Sequence, residues 1–215
     1  MSENSDCYYF NGVISILEAI RGIDCKCFTW SVVKAYYSAF YSMRAYLAYV
    51  GVNINFESSD NHYYSYDSSN LKIKLKRNTH ASVLMAYKNE VSTRSIIQKF
   101  GDLDIPEWLK KQRELANYIN PIFSDPQPHA SQPTFSKKNI YQLVEEYVKD
   151  IDTYCYDQEH AVIAFPIKLI LTAKGAQTAS PNYDEDKKQH INTLLQGHHA
   201  NSMSLFSLTN NKLLS

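Results

Sequence analysis

Two groups of side chains in this 215-residue chain combine types and spacings that could do chemistry. The first is Lys34, Tyr37, Tyr41 and Arg44, in which the later three follow Lys34 by three, seven and ten positions. On a helix that spacing stacks them into one stripe of polar tips, cations interleaved with aromatic faces. Such a stripe suits a partner interface or the wall of a pocket, and it equally fits tyrosines packed at the rim of a bundle. The second group is Lys72, Lys74, Lys76 and Arg77, interleaved with Leu71, Ile73 and Leu75. A period of two puts the charge on one side of a strand. With Tyr63, Tyr64 and Tyr66 nearby, it is the best candidate RNA-binding patch, cations for phosphates and rings for bases. The plainer reading is a short exposed strand or loop whose lysines are solvated.

The remaining reactive residues point to less. Cys7, Cys25, Cys27 and Cys155 include a Cys-x-Cys pair but no Cys-x-x-Cys, and are too sparse for a disulfide scaffold. A zinc site would need Cys25, Cys27 and a distant histidine. His190, His198 and His199 lie in or beside a glycine-containing segment and read as solvated. There is no Gly-rich phosphate loop, nucleophile elbow or metalloprotease signature. The expectation is no metal and no cofactor. Net charge is zero with pI near 7, so any nucleic-acid contact must come from a local patch rather than a global field. The opening residues are polar and acidic, unlike a secretory signal. The most apolar run, Ala161 to Ala173, is too short for a bilayer and contains Lys168. A cytoplasmic protein without a membrane span is expected.

The elements that would position these residues are mostly helical. Ser31 to Gly51 is the clearest: Val32, Tyr36, Ala39, Phe40, Met43, Leu47 and Val50 recur at spacings of three and four. Thr29 or Ser31 can cap its start, and Gly51 can take the left-handed conformation beyond its end. A first helix is predicted from Asn11 to Gly22, and a long polar loop from Asn53 to Asn78. Thr79 caps a helix from His80 to about Asn89, followed by a second helical set from Val91 to Phe100. Asp104, Pro106 and Glu107 start another, with Trp108, Leu115, Ile119 and Ile122 inward and Lys110, Arg113, Asn117 and Asn120 along a second side. Pro121 stops it. Ser136 caps a helix from Lys137 to Tyr154. Beyond residue 156 the pattern gives a buried helix broken at Pro166, or a strand after it. A linker follows, then an amphipathic helix from Asp184 to Gln196 and an apolar tail from Met203 to Leu214. The fold class expected is an all-α antiparallel bundle of about five helices over residues 1–155, with a docking or dimerisation extension at 156–215. Seventeen tyrosines against six glycines suit protein interfaces as well as wet cores.

Three of these segments resemble the HEPN domain family. The run KAYYSAFYSMRAYLAYVG, from Lys34 to Gly51, looks like its second helix. Thr79 to Leu84, THASVL, resembles the Thr-His-Ser-Gly-Val segment that opens the family's next helix. Arg113 to Tyr118, RELANY, resembles its Arg-x-x-Ala-Asp-Tyr signature. The likeness covers roughly residues 8 to 155.

The resemblance implies either a metal-independent ribonuclease or a degenerate relative used as a binding module. Active forms carry Arg, four to six intervening residues and His on one helix. There the histidine assists deprotonation of a ribose 2′-hydroxyl and the arginine stabilises charge on the phosphate. Arg113 matches the arginine, but the histidine window at 118–120 reads Tyr118, Ile119 and Asn120. His129 lies beyond Pro121 and Pro126, off that helix. The tentative catalytic set is therefore Arg113 on phosphate, with His80 from another helix or Tyr118 handling protons. Arg113 could instead be a pairing residue, with Glu18, Glu90 or Glu114 as its partner. The expected role is a binding or assembly component of a prokaryotic toxin–antitoxin or antiphage defence system. It would dimerise or dock on a nucleotidyltransferase-like or nuclease protein encoded nearby. The alternatives are an endoribonuclease using Arg113, and a small-ligand or nucleotide-binding bundle with a closed pocket lined by Tyr37, Tyr41, Arg44 and Arg113.

Overall fold

The computed structural model describes residues 3–69, 71–92, 98–119, 123, 125–128, 134–177 and 183–196. The architecture is predominantly helical. Its helices are α1 (Glu3–Asp24), α2 (Phe28–Tyr49), α3 (Thr79–Ser92), α4 (Ile105–Glu114), α5 (Thr134–Lys137), α6 (Ile140–Lys149), α7 (Ile151–Tyr154), α8 (Ala161–Ala176) and α9 (Glu185–Gln196). Two small antiparallel sheets interrupt them. Strands β1 (Asn53–Glu57), β2 (His62–Tyr66) and β3 (Lys72–Lys74) form one in the order β1-β2-β3, and β4 (Lys99–Phe100) pairs β5 (Leu103–Asp104) in the other. The expectation of a purely helical bundle is corrected at these two places.

The core is built on α2. Val32, Tyr36, Ala39, Phe40, Met43 and Leu47 are buried as the periodicity predicts. So are Val33, Ala35, Ser38, Ser42, Ala45 and Tyr46, because neighbours enclose the helix on more than one face. Along one side runs α1, at a distance only glycine allows. A Cβ at Gly12 would sit 2.7 Å from Ser42 Oγ and 3.4 Å from the Ser42 backbone nitrogen, and one at Gly22 would sit 2.3 Å from Ser31 Oγ. The Ser38 hydroxyl donates to the Gly12 carbonyl at 2.8 Å across this seam. Gly22 therefore serves packing, and α1 runs on through it to Asp24. At the other end α1 starts earlier than predicted, at Glu3, and buries Ser5 and Tyr9.

Another face of α2 is covered by α8. Residues 161–176, expected beyond a boundary at 156, instead belong to the central core. The helix is continuous through Pro166. An interior proline costs about 3 kcal/mol, but burying each large aliphatic or aromatic side chain returns about 1.5–3 kcal/mol. Val162, Ile163, Phe165, Ile167, Leu169 and Ile170 are all buried here, so burial wins. Ile191 and Leu195 are the buried positions of α9, which contacts α1.

Helix ends follow local chemistry, with revisions. Asp104 caps α4 as predicted, accepting from the Glu107 amide at 3.0 Å with Pro106 in the first turn, and Gly51 follows α2 at φ +84°. The start of α2 is capped from outside: the Asp125 carboxylate accepts from the Thr29 amide at 3.1 Å. The single helix predicted from Lys137 to Tyr154 is three, because Asn139 and Asp150 each turn inward as caps of α6 and α7. The polar segment after Gly51 is not a loop but a hairpin meander, turning through Asn61 at φ +57°. Lys99 and Phe100, placed in a helix by pattern, form β4, which turns through Gly101. The expected apolar tail, like Ile122, His129, His198 and His199, lies outside the described residues.

The glycine seam gives a direct test. Gly12→Val should lower the free energy of unfolding by about 1–3 kcal/mol through overpacking. Gly175→Ala, where a Cβ meets nothing within 4 Å, should be neutral or stabilise by about 0.4–1 kcal/mol. Urea unfolding of the two variants beside the native chain checks both signs.

Candidate functional site

Because α1 and α8 cover so much of α2, Lys34, Tyr37, Tyr41, Arg44 and Ala48 are left half-buried in a line along it. The predicted stripe is therefore the face of α2 that borders solvent. Its members are not equivalent. Lys34 is held by an ion pair with Glu18. Tyr37 and Tyr41 stack with centroids 6.2 Å apart, and Arg44 lies over the Tyr8 ring at 3.9 Å while donating to the Tyr8 hydroxyl.

Two further helices bring side chains to the Tyr37 end of this line. His80, in the first turn of α3, shares a 2.8 Å hydrogen bond between its Nδ1 and the Tyr36 hydroxyl, with its ring 4.5 Å from that of Phe40. Arg113, in the last turn of α4, places its guanidinium 5.3 Å from the Tyr36 ring and 5.7 Å from that of Tyr37. It also lies 5.3 Å from the Tyr118 ring and donates to the Tyr118 hydroxyl at 3.2 Å. Tyr118 itself is 67% exposed, on the π-helical segment Leu115–Ile119 that continues α4 and also carries Asn117. Of the three tentative catalytic residues, His80 and Arg113 thus meet at Tyr36 and Tyr37, and Tyr118 reaches them through Arg113. Asn117 is half-buried nearby in the chain.

A partly buried ion pair links α3 to the start of α4, while each helix packs on α2. Lys88 of α3 contacts the carboxylate of Asp104, the buried cap of α4, and that of Glu107 at 2.7 Å. One lysine thereby ties the helix of His80 to the helix of Arg113.

The electrostatics of the cluster are cationic. Of the suggested partners for Arg113, Glu18 is taken by Lys34 and Glu114 by Lys110. Among the described residues Arg113 has no carboxylate partner, and its Nε is buried without a hydrogen bond. The His80 pKa is pushed below its ordinary value, first by desolvation and then by the Arg113, Lys110 and Arg44 charges, with Glu114 opposing. Burial raises the Tyr36 phenol well above its usual range, so it stays protonated. At neutral pH the cluster presents a neutral imidazole beside an arginine free to take an anion.

The predicted basic patch fares differently. Lys72 and Lys74 share a sheet face with Tyr64 and Tyr66, as the period of two implies. Both lysines are engaged, however: Lys72 with Glu57 at 2.6 Å, Lys74 with Asp60 at 2.9 Å. The Tyr64 and Tyr66 hydroxyls close on the same two carboxylates, and Asp60 is held down at about 2 by Tyr64 and Lys74. Tyr63 is on the opposite face, with its hydroxyl accepting from Thr79. This face is a locally neutralised lattice of pairs, not a bare cationic strip. Lys76 and Arg77 are exposed beyond it.

Two clefts lie elsewhere, one lined by Arg44 with Tyr8 and Ile54, the other by Phe28, Phe135 and Ile140. Among the described residues no group of three His, Cys, Asp or Glu side chains could hold a metal ion, and no helix is long and apolar enough to cross a membrane. The four cysteines are free thiols, with Cys155 buried. Comparison with protein-family models, curated proteins and solved structures gives no match.

The depressed His80 pKa has a defined sign. The unfolded chain binds the His80 proton more readily than the folded one, so folding stability falls as pH drops through the ordinary histidine value toward the lowered folded one. His80→Gln should flatten the stability profile of the native chain between about pH 7.5 and 5.5, read from midpoints of thermal unfolding at closely spaced pH.

Proposed function

We propose that this chain is a HEPN-like binding module of a prokaryotic toxin–antitoxin or antiphage defence system, and that its aromatic–cationic face holds single-stranded RNA. One observation carries the reading: His80 and Arg113 arrive from separate helices at Tyr36 and Tyr37, and Arg113 has no carboxylate partner among the described residues. A guanidinium free of carboxylates binds a phosphate by charge-assisted hydrogen bonds. The Tyr37–Tyr41 pair and the exposed Tyr118 offer ring faces on which unpaired bases stack, at about 1–3 kcal/mol per base. An open row of rings suits a strand better than a closed small-ligand pocket. Assembly with a second copy or a partner protein fits the exposed edge-to-face pair Trp30–Phe123 at the start of α2, one turn before Lys34 on the same stripe.

A second reading, metal-independent RNA cleavage, is favoured by the state of His80. Its Nδ1 is held by Tyr36 and its pKa is depressed, so a neutral imidazole stands beside a phosphate-binding arginine. That pairing replaces the histidine absent from the Arg113 helix.

Binding of fluorescein-labelled single-stranded RNA, followed by anisotropy across a salt series, tests the first reading. Arg113→Ala should weaken binding about tenfold and reduce the slope of log affinity against log salt by about 0.7, the loss of one phosphate contact. Lys72→Ala and Lys74→Ala should leave affinity within about twofold, since both lysines already have carboxylate partners. Equal binding by Arg113→Ala and native protein would remove the reading. Incubation of the same RNA in EDTA separates the second: cleavage lost in both Arg113→Ala and His80→Ala identifies a ribonuclease, and intact RNA identifies a binding module.

A further inference from the structure

The two edges of the three-stranded meander differ. Tyr63 of β2 turns both its backbone groups toward the β3 side, its amide donating to the Lys76 carbonyl at 3.0 Å and its carbonyl accepting from the Leu75 amide at 2.8 Å. Phe56 stands opposite Tyr63 on β1. By the alternation of an antiparallel ladder its own N–H and C=O therefore point away from β2, and those of Ile54 do the same. These main-chain groups line the outer edge of β1, which has no strand beside it among the described residues. An open edge invites a further strand, and folds blunt it with lysines, prolines or bulges. The β3 edge is blunted: it carries Lys72 and Lys74, and Leu75 and Lys76 together oppose Tyr63 as a bulge. The β1 edge is not; its one charge, Glu57, is engaged by Lys72. Beside it lies a cleft of about 130 Å³, lined by Tyr8, Arg44 and Ala48 from the helices and by Val52, Ile54 and Asn55. No described residue of β2 or β3 lines it, so it sits on the open side of β1.

We propose that the outer edge of β1 is a peptide-docking site, where an extended segment of a partner protein adds as an antiparallel strand and sets an Asp or Glu side chain on Arg44. Neither His80 nor Arg113 takes part, so the site is independent of the RNA reading. The meander is antiparallel throughout, and antiparallel pairing is the more stable per residue. A segment so paired exchanges hydrogen bonds with the outward groups of Ile54 and Phe56, and side chains of paired residues share a sheet face. The residue opposite Ile54 then comes to the cleft that Ile54 shares with Tyr8 and Arg44. The residue opposite Phe56 lies beside a ring that is 49% exposed. Arg44 is stacked on Tyr8 at 3.9 Å and has no carboxylate partner among the described residues, so it complements an acidic side chain by charge-assisted hydrogen bonds. The Phe56 ring complements an apolar one. Because an antiparallel partner runs against β1, the segment reads apolar, any residue, acidic from its N-terminal side. Main-chain bonds supply the affinity and the alternate side chains the specificity, as in strand addition generally.

Anisotropy of a fluorescein-labelled, amidated peptide, Thr-Val-Thr-Phe-Thr-Glu-Thr-Val-Thr, titrated with the full chain tests the site. The expected result is saturable binding that falls about tenfold or more when the peptide is N-methylated at its phenylalanine and glutamate, whose amides face β1. Glutamine in place of the peptide glutamate, or Arg44→Gln in the chain, should each cost about tenfold, and both together little more than either alone, because they remove one contact. Phe56→Pro takes away an outward N–H and the exposed ring while sparing the ladder to β2, and should abolish binding with thermal unfolding unchanged. If that variant fails to fold, the N-methylated peptide makes the same test on the native chain. Hydrogen exchange at the Ile54 and Phe56 amides should slow in the complex. Absence of saturable binding, or binding indifferent to N-methylation or to loss of the peptide carboxylate, overturns the proposal. So does Arg44→Gln weakening single-stranded RNA binding while leaving the peptide affinity unchanged, which assigns Arg44 to phosphate.

Discussion

The near-complete enclosure of α2 is the constraint on which the rest depends. A helix covered by α1, α8, α3 and α4 can spend almost every position on packing, and this one does. The close approach to α1 is possible only because Gly12 and Gly22 omit a side chain where Ser42 and Ser31 need the space. What is left over is one strip, and its composition of tyrosine, arginine and lysine is then informative. Tyr37 and Tyr41 still pack one side against the core, while Lys34 pairs with Glu18 and Arg44 stacks on Tyr8.

The cluster at one end of that strip is assembled by long-range parts. His80 and Arg113 sit at opposite ends of their helices, the first turn of α3 and the last turn of α4. Lys88 fixes the two helices against each other through the cap residue Asp104, whose carboxylate also accepts from the Glu107 amide. A buried carboxylate is tolerable only when it is paired, and here the cap and the clamp satisfy it together. Packing on α2 places the imidazole and the guanidinium, and Lys88, which touches neither, adds a link between their helices.

Much of this was legible from short-range pattern. The stripe of α2, the Asp104 cap with Pro106, the glycine after α2 and the buried positions of α9 are local consequences of period and backbone preference. The meander was not, because its polar face reads as loop; the apolar alternates Ile54, Tyr63 and Leu75 are too scattered to signal a sheet. The ion pairs of the basic patch were hidden for a related reason. Glu57 and Asp60, which neutralise Lys72 and Lys74, lie 15 and 14 positions upstream, and only the folded meander brings them across. The meeting of His80 with Arg113 required knowing that α3 and α4 pack on the same edge of α2. Capping residues Asn139 and Asp150 also broke a helix that its apolar pattern alone would run through.

The place of α8 in the core has a consequence for how the chain is made. A ribosome releases α1, α2, the meander and α3 long before residues 161–176 emerge. Until then the face of α2 that α8 will cover is bare, and closing the loop between them costs entropy that no local contact has yet repaid. Synthesis therefore passes through a stage in which the face of α2 that α8 covers is present without its lid. Release of the finished chain is what lets α8 close over α2 and remove that face from water.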